Sequence, residues 1–402
     1  MTEEIMANKY FYLLSLTVIL LQNIYAQTDF VNSNISINDS DIVAIVCNSS
    51  IAQGGNVYLA VIDRANNYLF IPIIVNSKLL GYAQNADVGI DKNGTISVVW
   101  EQWLNGCGTV YRSRFTSLGY IVDSAQCITD SILSSGSVKI SVTPNGKSVA
   151  AWIDYRFNKP MIFGQRFDEK GNKIGSNFVV SNGKSLPQYP YCNVSDSLIS
   201  FVWQDVENKI FHVYTSSCSW DLRWLPEIIV DKGNGAAHSS NPEIFLQKND
   251  KKIIVWKDYR TGESNIYFQM LTKQQLIVNL VDKMINDDKS KRWQRLPRLS
   301  GSKSKGFICV WEDYRNNSEN QIGDIYGQLF FSNGKPKGKN FKINRTQEPT
   351  IQEFPSVAMN ERGSFSTAWT DGRDSSLKIY LQRFNARAER ILGETVILPF
   401  TK

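Results

Sequence analysis

Short apolar runs that end in tryptophan recur along the chain. They are Ile-Ser-Val-Val-Trp to Trp100, Ser-Val-Ala-Ala-Trp to Trp152, Ile-Ser-Phe-Val-Trp to Trp203, Ile-Ile-Val-Trp to Trp256, Phe-Ile-Cys-Val-Trp to Trp311 and Ser-Thr-Ala-Trp to Trp369, at intervals of 51 to 58 residues. Their length and β-branched content predict strands. A step of the same size back from Trp100 reaches Cys47, which ends Asp-Ile-Val-Ala-Ile-Val-Cys as a seventh, divergent copy. Thirteen or fourteen residues before four of the tryptophans stand Pro190, Pro242, Pro297 and Pro355, each opening another strand-like run. After the tryptophan comes a polar loop, then a third run such as Asn-Ile-Tyr-Phe-Gln-Met or Lys-Ile-Tyr-Leu-Gln-Arg-Phe. A turn containing Gly or Asn and a fourth apolar run close several units.

Four short strands per unit, with turns between them and no helical periodicity, predict a β-propeller blade. The expected fold is all-β: a seven-bladed propeller of four-stranded antiparallel blades over residues 30–400. The expected repeats are about 33–82, 83–132, 133–183, 184–233, 234–290, 291–346 and 347–400. A blade cannot bury both faces alone, and stacking around an axis hides them. β-Helix rungs would be far shorter than this period, and sandwich domains would need about 100 residues each.

Residues 1–26 predict a signal peptide: Lys9, an apolar run over 11–21 too short to span a membrane comfortably, and Ala26 at a cleavage point. Glu3 and Glu4 sit badly in a positive n-region, so Met6 competes with Met1 as the start. The expected location is therefore secreted or periplasmic, with no transmembrane segment in the mature chain. Net charge is only +6 and the basic residues are scattered, which argues against nucleic acid as a partner. The densest basic stretch, Lys289, Lys291, Arg292, Arg295 and Arg298, follows Asp287 and Asp288 and reads as a solvated loop.

Six cysteines in an exported chain raise the question of disulfides. Cys107 follows one tryptophan and Cys127 falls near the end of the same blade's last strand, so the pair is the disulfide candidate. Cys309, inside an apolar run, is expected to be a buried thiol. No cysteine spacing suits a metal, the two histidines are too few for a metal cluster, and no cofactor motif occurs.

Four units carry a full Trp-x-Asp-x-Arg, giving Asp154 and Arg156, Asp258 and Arg260, Asp313 and Arg315, and Asp371 and Arg373. The fourth unit keeps Asp205 without the arginine. Recurrence favours a structural clip within each blade, and a ring of charge that captures a ligand on the rim is the competing reading. This skeleton, with its Ile-Tyr-x-Gln strand, resembles propeller repeats of secreted bacterial proteins and, more distantly, those of TolB-like propellers. Sialidase-like propellers are a further comparison, although their Ser-x-Asp-x-Gly-x-Thr-Trp box does not occur here. The resemblance covers nearly the whole mature chain and speaks to fold more than to activity. The leading expectation is a monomeric, non-catalytic binding or scaffold module for protein or glycan, ahead of a carbohydrate-active hydrolase or lyase. An enzyme would need a convergent, non-repeated cluster at the channel mouth.

Overall fold

A computed structural model describes residues 29–50, 54–130, 135–181, 185–232, 237–316, 322–346, 350–374 and 376–398. The expected signal peptide lies outside the described residues. Seven four-stranded antiparallel sheets form a ring, and within each the strands pair in chain order. The blades span residues 30–74, 82–127, 135–179, 188–229, 239–284, 294–342 and 352–398. Among the described residues no helix is long and apolar enough to cross a membrane.

The first strand of each blade is innermost: Phe30–Ile37, Tyr82–Ile90, Ser135–Val142, Gln188–Val194, Ser239–Leu246, Gln294–Ser302 and Gln352–Met359. These seven strands pack against one another around the central channel. Seven apolar clusters fill the spaces between consecutive blades, the last joining blades 7 and 1. The six repeat tryptophans are fully buried in these clusters, as is Cys47. Cys47 pairs across the sheet with Tyr58 as Trp100 pairs with Tyr111 and Trp311 with Tyr326, so the seventh copy stands at the tryptophan position. The ring closes without strand exchange. Phe30 N donates to Leu377 O at 3.0 Å, Leu377 N donates to Asp29 Oδ1 at 2.9 Å, and Arg383 donates to Asp63 O and Asn66 Oδ1, both at 2.6 Å.

Every inner strand breaks register near its start, where one residue takes a left-handed φ: Asn32, Asn85, Ser137, Tyr189, Asn241, Leu296 and Phe354, all between 47° and 56°. This is a β-bulge, which re-aims the following side chain. Pro190, Pro242, Pro297 and Pro355 directly follow the left-handed residue in their blades. Proline suits this place because a bulge residue is excused from donating to the ladder.

Candidate functional site

Pairing resumes after the bulge at Asn34, Asp87, Lys139, Tyr191, Glu243, Arg298 and Ser356. Each faces a small apolar partner on the second strand, such as Val99 opposite Asp87 or Val255 opposite Glu243. The seven positions are equivalent in backbone and differ in chemistry, so the repeat delivers a set of unlike side chains to one level of the channel. Five of them line a cavity of about 210 Å³ at the bulge end of the channel: Asn34, Lys139, Tyr191, Glu243 and Arg298. The cavity is small beside the ~300–1,000 Å³ of ordinary small-molecule sites. Tyr189, on a bulge and 52% exposed, forms part of its wall.

The charged members link neighbouring blades. Arg298 Nη1 donates to Glu243 Oε1 at 2.8 Å, and Arg298 Nε donates to Pro355 O at 3.1 Å. Glu243 Oε2 also accepts from Leu299 N at 2.7 Å. Asp87 Oδ2 accepts from Ile140 N at 2.8 Å. The Lys139 ammonium lies 5.7 Å from the centre of the Tyr191 ring.

Burial pushes both carboxyls up, against the pull of Lys139 on Asp87 and of Arg298 on Glu243. Burial lowers Lys139, while Asp87 works the other way. Burial would also lower Arg298, but Glu243 outweighs it and holds the guanidinium charged. Tyr191 is pushed well above the ordinary phenol range by burial and by Glu243. An amine shifted toward neutrality, a phenol held protonated and a cation fixed by its carboxylate around one cavity are the ingredients of proton transfer beside a developing negative charge.

Two further acids stand just outside this ring. Glu312 accepts from Phe354 N at 2.9 Å and from the Tyr314 hydroxyl at 3.4 Å, and Arg295 Nη1 donates to that hydroxyl at 3.3 Å. Burial raises Tyr314 to about 12, and Glu312 adds to the rise. Glu101 accepts from Gln84, Asn85, Trp103 and Ser137 N, which uses up its acceptor sites.

The Asp and Arg residues singled out from sequence lie elsewhere. Asp154, Asp258, Asp313 and Asp371 end second strands and are fully buried, each accepting from the indole N–H of its own Trp152, Trp256, Trp311 or Trp369 at 2.9–3.1 Å. Arg156, Arg260, Arg315 and Arg373 close back onto these carboxylates, with their guanidinium carbons over the rings of Phe163, Tyr267, Tyr326 and Tyr380 at 4.0–4.4 Å. Their second partners come from the outer edge of the ring: Asn177, Asp282, Asp287 with Asn340, and Glu394. None of the eight lines the cavity.

Two expectations change. The basic stretch is not all loop, because Arg295 and Arg298 lie on the inner strand of blade 6 and Arg298 enters the cavity. Cys107 and Cys127 are both free and exposed. Cys127 pairs with Tyr111, four residues along the strand from Cys107. That offset is roughly 13 Å at ~3.3 Å per residue, beyond disulfide reach.

Asn34, Lys139, Tyr191 and Glu243 escaped sequence reading because they do not repeat, and Arg298 was read there only as part of a solvated loop. Their one signal was the proline spacing: the residue after each of Pro190, Pro242, Pro297 and Pro355 is Tyr191, Glu243, Arg298 or Ser356.

No protein-family model and no curated protein matches the chain. Solved structures do. The polysaccharide lyase Uly1 aligns with a TM-score of 0.58 at 8% identity, covering 88% of this chain and 89% of that one. A protein of unknown function from Dyadobacter fermentans aligns with a TM-score of 0.50 at 9% identity, covering 86% and 91%. A mutant α-L-arabinofuranosidase of Fusarium graminearum, in complex with an iminosugar inhibitor, aligns with a TM-score of 0.50 at 11% identity, covering 75% and 93%. At such identity the likeness establishes the fold. The expectation that placed a non-catalytic module ahead of an enzyme does not stand, since two of these three structures are of carbohydrate-active enzymes. The channel holds a convergent, non-repeated cluster of the kind that an enzyme would need.

Proposed function

We propose that the chain is an exported carbohydrate-active enzyme that cleaves a glycosidic linkage at the bulge end of the central channel. The observation that carries this reading is the meeting of Lys139, Tyr191, Glu243 and Arg298, all different and all on equivalent positions, around one cavity. In the proposed site Tyr191 and Lys139 supply proton-carrying groups, Glu243 aims Arg298, and Arg298 holds positive charge where negative charge develops. Two-acid glycoside hydrolysis needs a second carboxyl on the same sugar. Among the described residues Glu243 is the only carboxyl residue in the cavity wall, Asp87 being buried and absent from it, and this favours elimination over hydrolysis.

The test is reducing-end release by the purified mature protein from a panel of neutral and acidic polysaccharides, with the products examined for the ultraviolet absorbance of an unsaturated sugar. New reducing ends that fall at least about a hundredfold in a folded Glu243→Gln variant support the reading. Absorbing ends indicate elimination and silent ends hydrolysis. No release from any polymer, or full activity in Glu243→Gln, refutes the site.

A further inference from the structure

The charges of the channel are not equally available. Glu243 is 3% exposed, and its two oxygens are engaged by Arg298 and by Leu299 N. Asp87 is 5% exposed, is bonded to Ile140 N, and is absent from the cavity wall. The cations are the open partners. The Arg298 side chain is 23% exposed, and its Nε and Nη1 are committed while Nη2 has no hydrogen bond among the described residues. Lys139 lines the cavity and is partly exposed, and its ammonium donates no hydrogen bond among the described residues, resting instead near the face of Tyr191. The acids act as buried anchors that aim and hold the cations, so the surface met by an entering ligand is positive. The other wall groups, among them Asn34, Ser137 and Asn241, are neutral.

We infer that this cavity is an oxyanion subsite: the sugar unit it receives carries a carboxylate or sulfate, held by Lys139 and the free Nη2 of Arg298. This rests on the reading of the chain as carbohydrate-active and narrows its substrate to acidic polysaccharides. A charged group entering here completes the hydrogen bonding of two partly desolvated cations, and a neutral sugar leaves both unmatched. Tyr189 at the rim offers an exposed ring against which a neighbouring sugar face can lie.

The experiment is equilibrium binding of the full mature chain to polygalacturonate, to dextran sulfate, and to unsubstituted dextran and arabinan, at low and at high salt. Expected is binding of one or both acidic polymers at least about tenfold tighter than of the neutral ones. Preference for polygalacturonate identifies a carboxylate and preference for dextran sulfate a sulfate ester. The preference should weaken with salt, as for any partly exposed charge contact. Lys139→Gln should reduce it about tenfold with an unchanged melting temperature. Arg298→Gln strips Glu243 of its partner and can unfold the chain, so Lys139→Gln is the deciding variant, with Lys139→Arg expected to restore the preference. Equal or tighter binding of neutral polymers, or an acidic preference untouched in Lys139→Gln, overturns the inference. Cleavage of neutral arabinan without acidic preference would leave the enzyme reading standing and the subsite refuted. Acidic binding that needs Lys139, with no polymer cleaved, would leave the subsite standing and the enzyme reading refuted.

Discussion

Asp313 and Arg315 form a closed clip at the end of the second strand of blade 6. Arg315 donates its own N–H and its Nε to Asp313 Oδ1 at 3.0 and 2.9 Å, and its Nη2 to Asp313 Oδ2 at 2.7 Å. The same Oδ2 accepts from Trp311 Nε1 at 2.9 Å. The buried tryptophan, the turn that follows it and the aromatic ring beneath the guanidinium are thereby fixed to one carboxylate. Three other blades repeat the arrangement, and Arg315 extends it to Asp287 of the preceding loop at 2.9 Å.

We expect Arg315→Ala to lower stability by about 1–3 kcal/mol, because it leaves a fully buried carboxylate short of its partners. Arg260→Ala and Arg373→Ala should behave alike. Lysine should rescue poorly, since a point charge cannot supply the fork. Thermal melts of the three variants check this, alongside cleavage assays that should be unaffected. Unchanged melting with lost cleavage or binding would return these residues to the ligand-capturing role.

Gly306 offers a sharper backbone test. Its φ is +116°, and an added Cβ would come 2.0 Å from Phe330 O. Gly306→Ala should cost well over about 1 kcal/mol. Gly106, at φ +79° with nothing within 4 Å of an added Cβ, should lose only the left-handed penalty of about 1 kcal/mol when changed to alanine. Urea midpoints for the pair check the difference, and equal losses would refute it.

His212 predicts a pH dependence. Its Nδ1 lies 3.0 Å from Asp231 Oδ2, and this bond raises the imidazole above its ordinary value against the effect of burial. Asp231 Oδ1 also accepts from Val213 N at 2.8 Å, a task that neutral Asn286 and Asn344 perform in blades 5 and 6. For a raised histidine the stabilisation is complete below the unfolded value of about 6.5 and fades as pH climbs through the folded value. The melting advantage of the native chain over His212→Asn should therefore be largest near pH 5–6 and shrink above about pH 6.5. An advantage that grows with pH would refute the pairing.

The cysteines should divide by exposure. Cys107 and Cys127 should alkylate readily in the native, non-reduced protein, and no peptide linking them should appear. Cys47, Cys192, Cys218 and Cys309 are buried, and burial raises all four thiols, Cys218 to about 12. They should react only after unfolding, because the thiolate is the reactive form. Mass mapping before and after denaturant checks both halves.

The period of the buried tryptophans and of the strands around them was set by local chemistry. Each blade must bury the same face against the next, so the same residue types return at Trp100 through Trp369, and even Cys47 keeps its place. Seven blades of four strands follow from that repetition alone. The Trp-x-Asp-x-Arg clip was legible as a motif for the same reason. The cavity was decided by tertiary structure. Asp87, Lys139, Tyr191, Glu243 and Arg298 are about fifty residues apart and share no residue type that a repeat search could register. They meet because a bulge in each inner strand turns one side chain toward the axis and ring closure brings those axis-facing positions to one level. Which charges stay open to a ligand was also beyond the sequence. It depends on Glu243 and Asp87 being consumed by backbone N–H groups of the neighbouring blade, a contact that exists only once the blades are stacked.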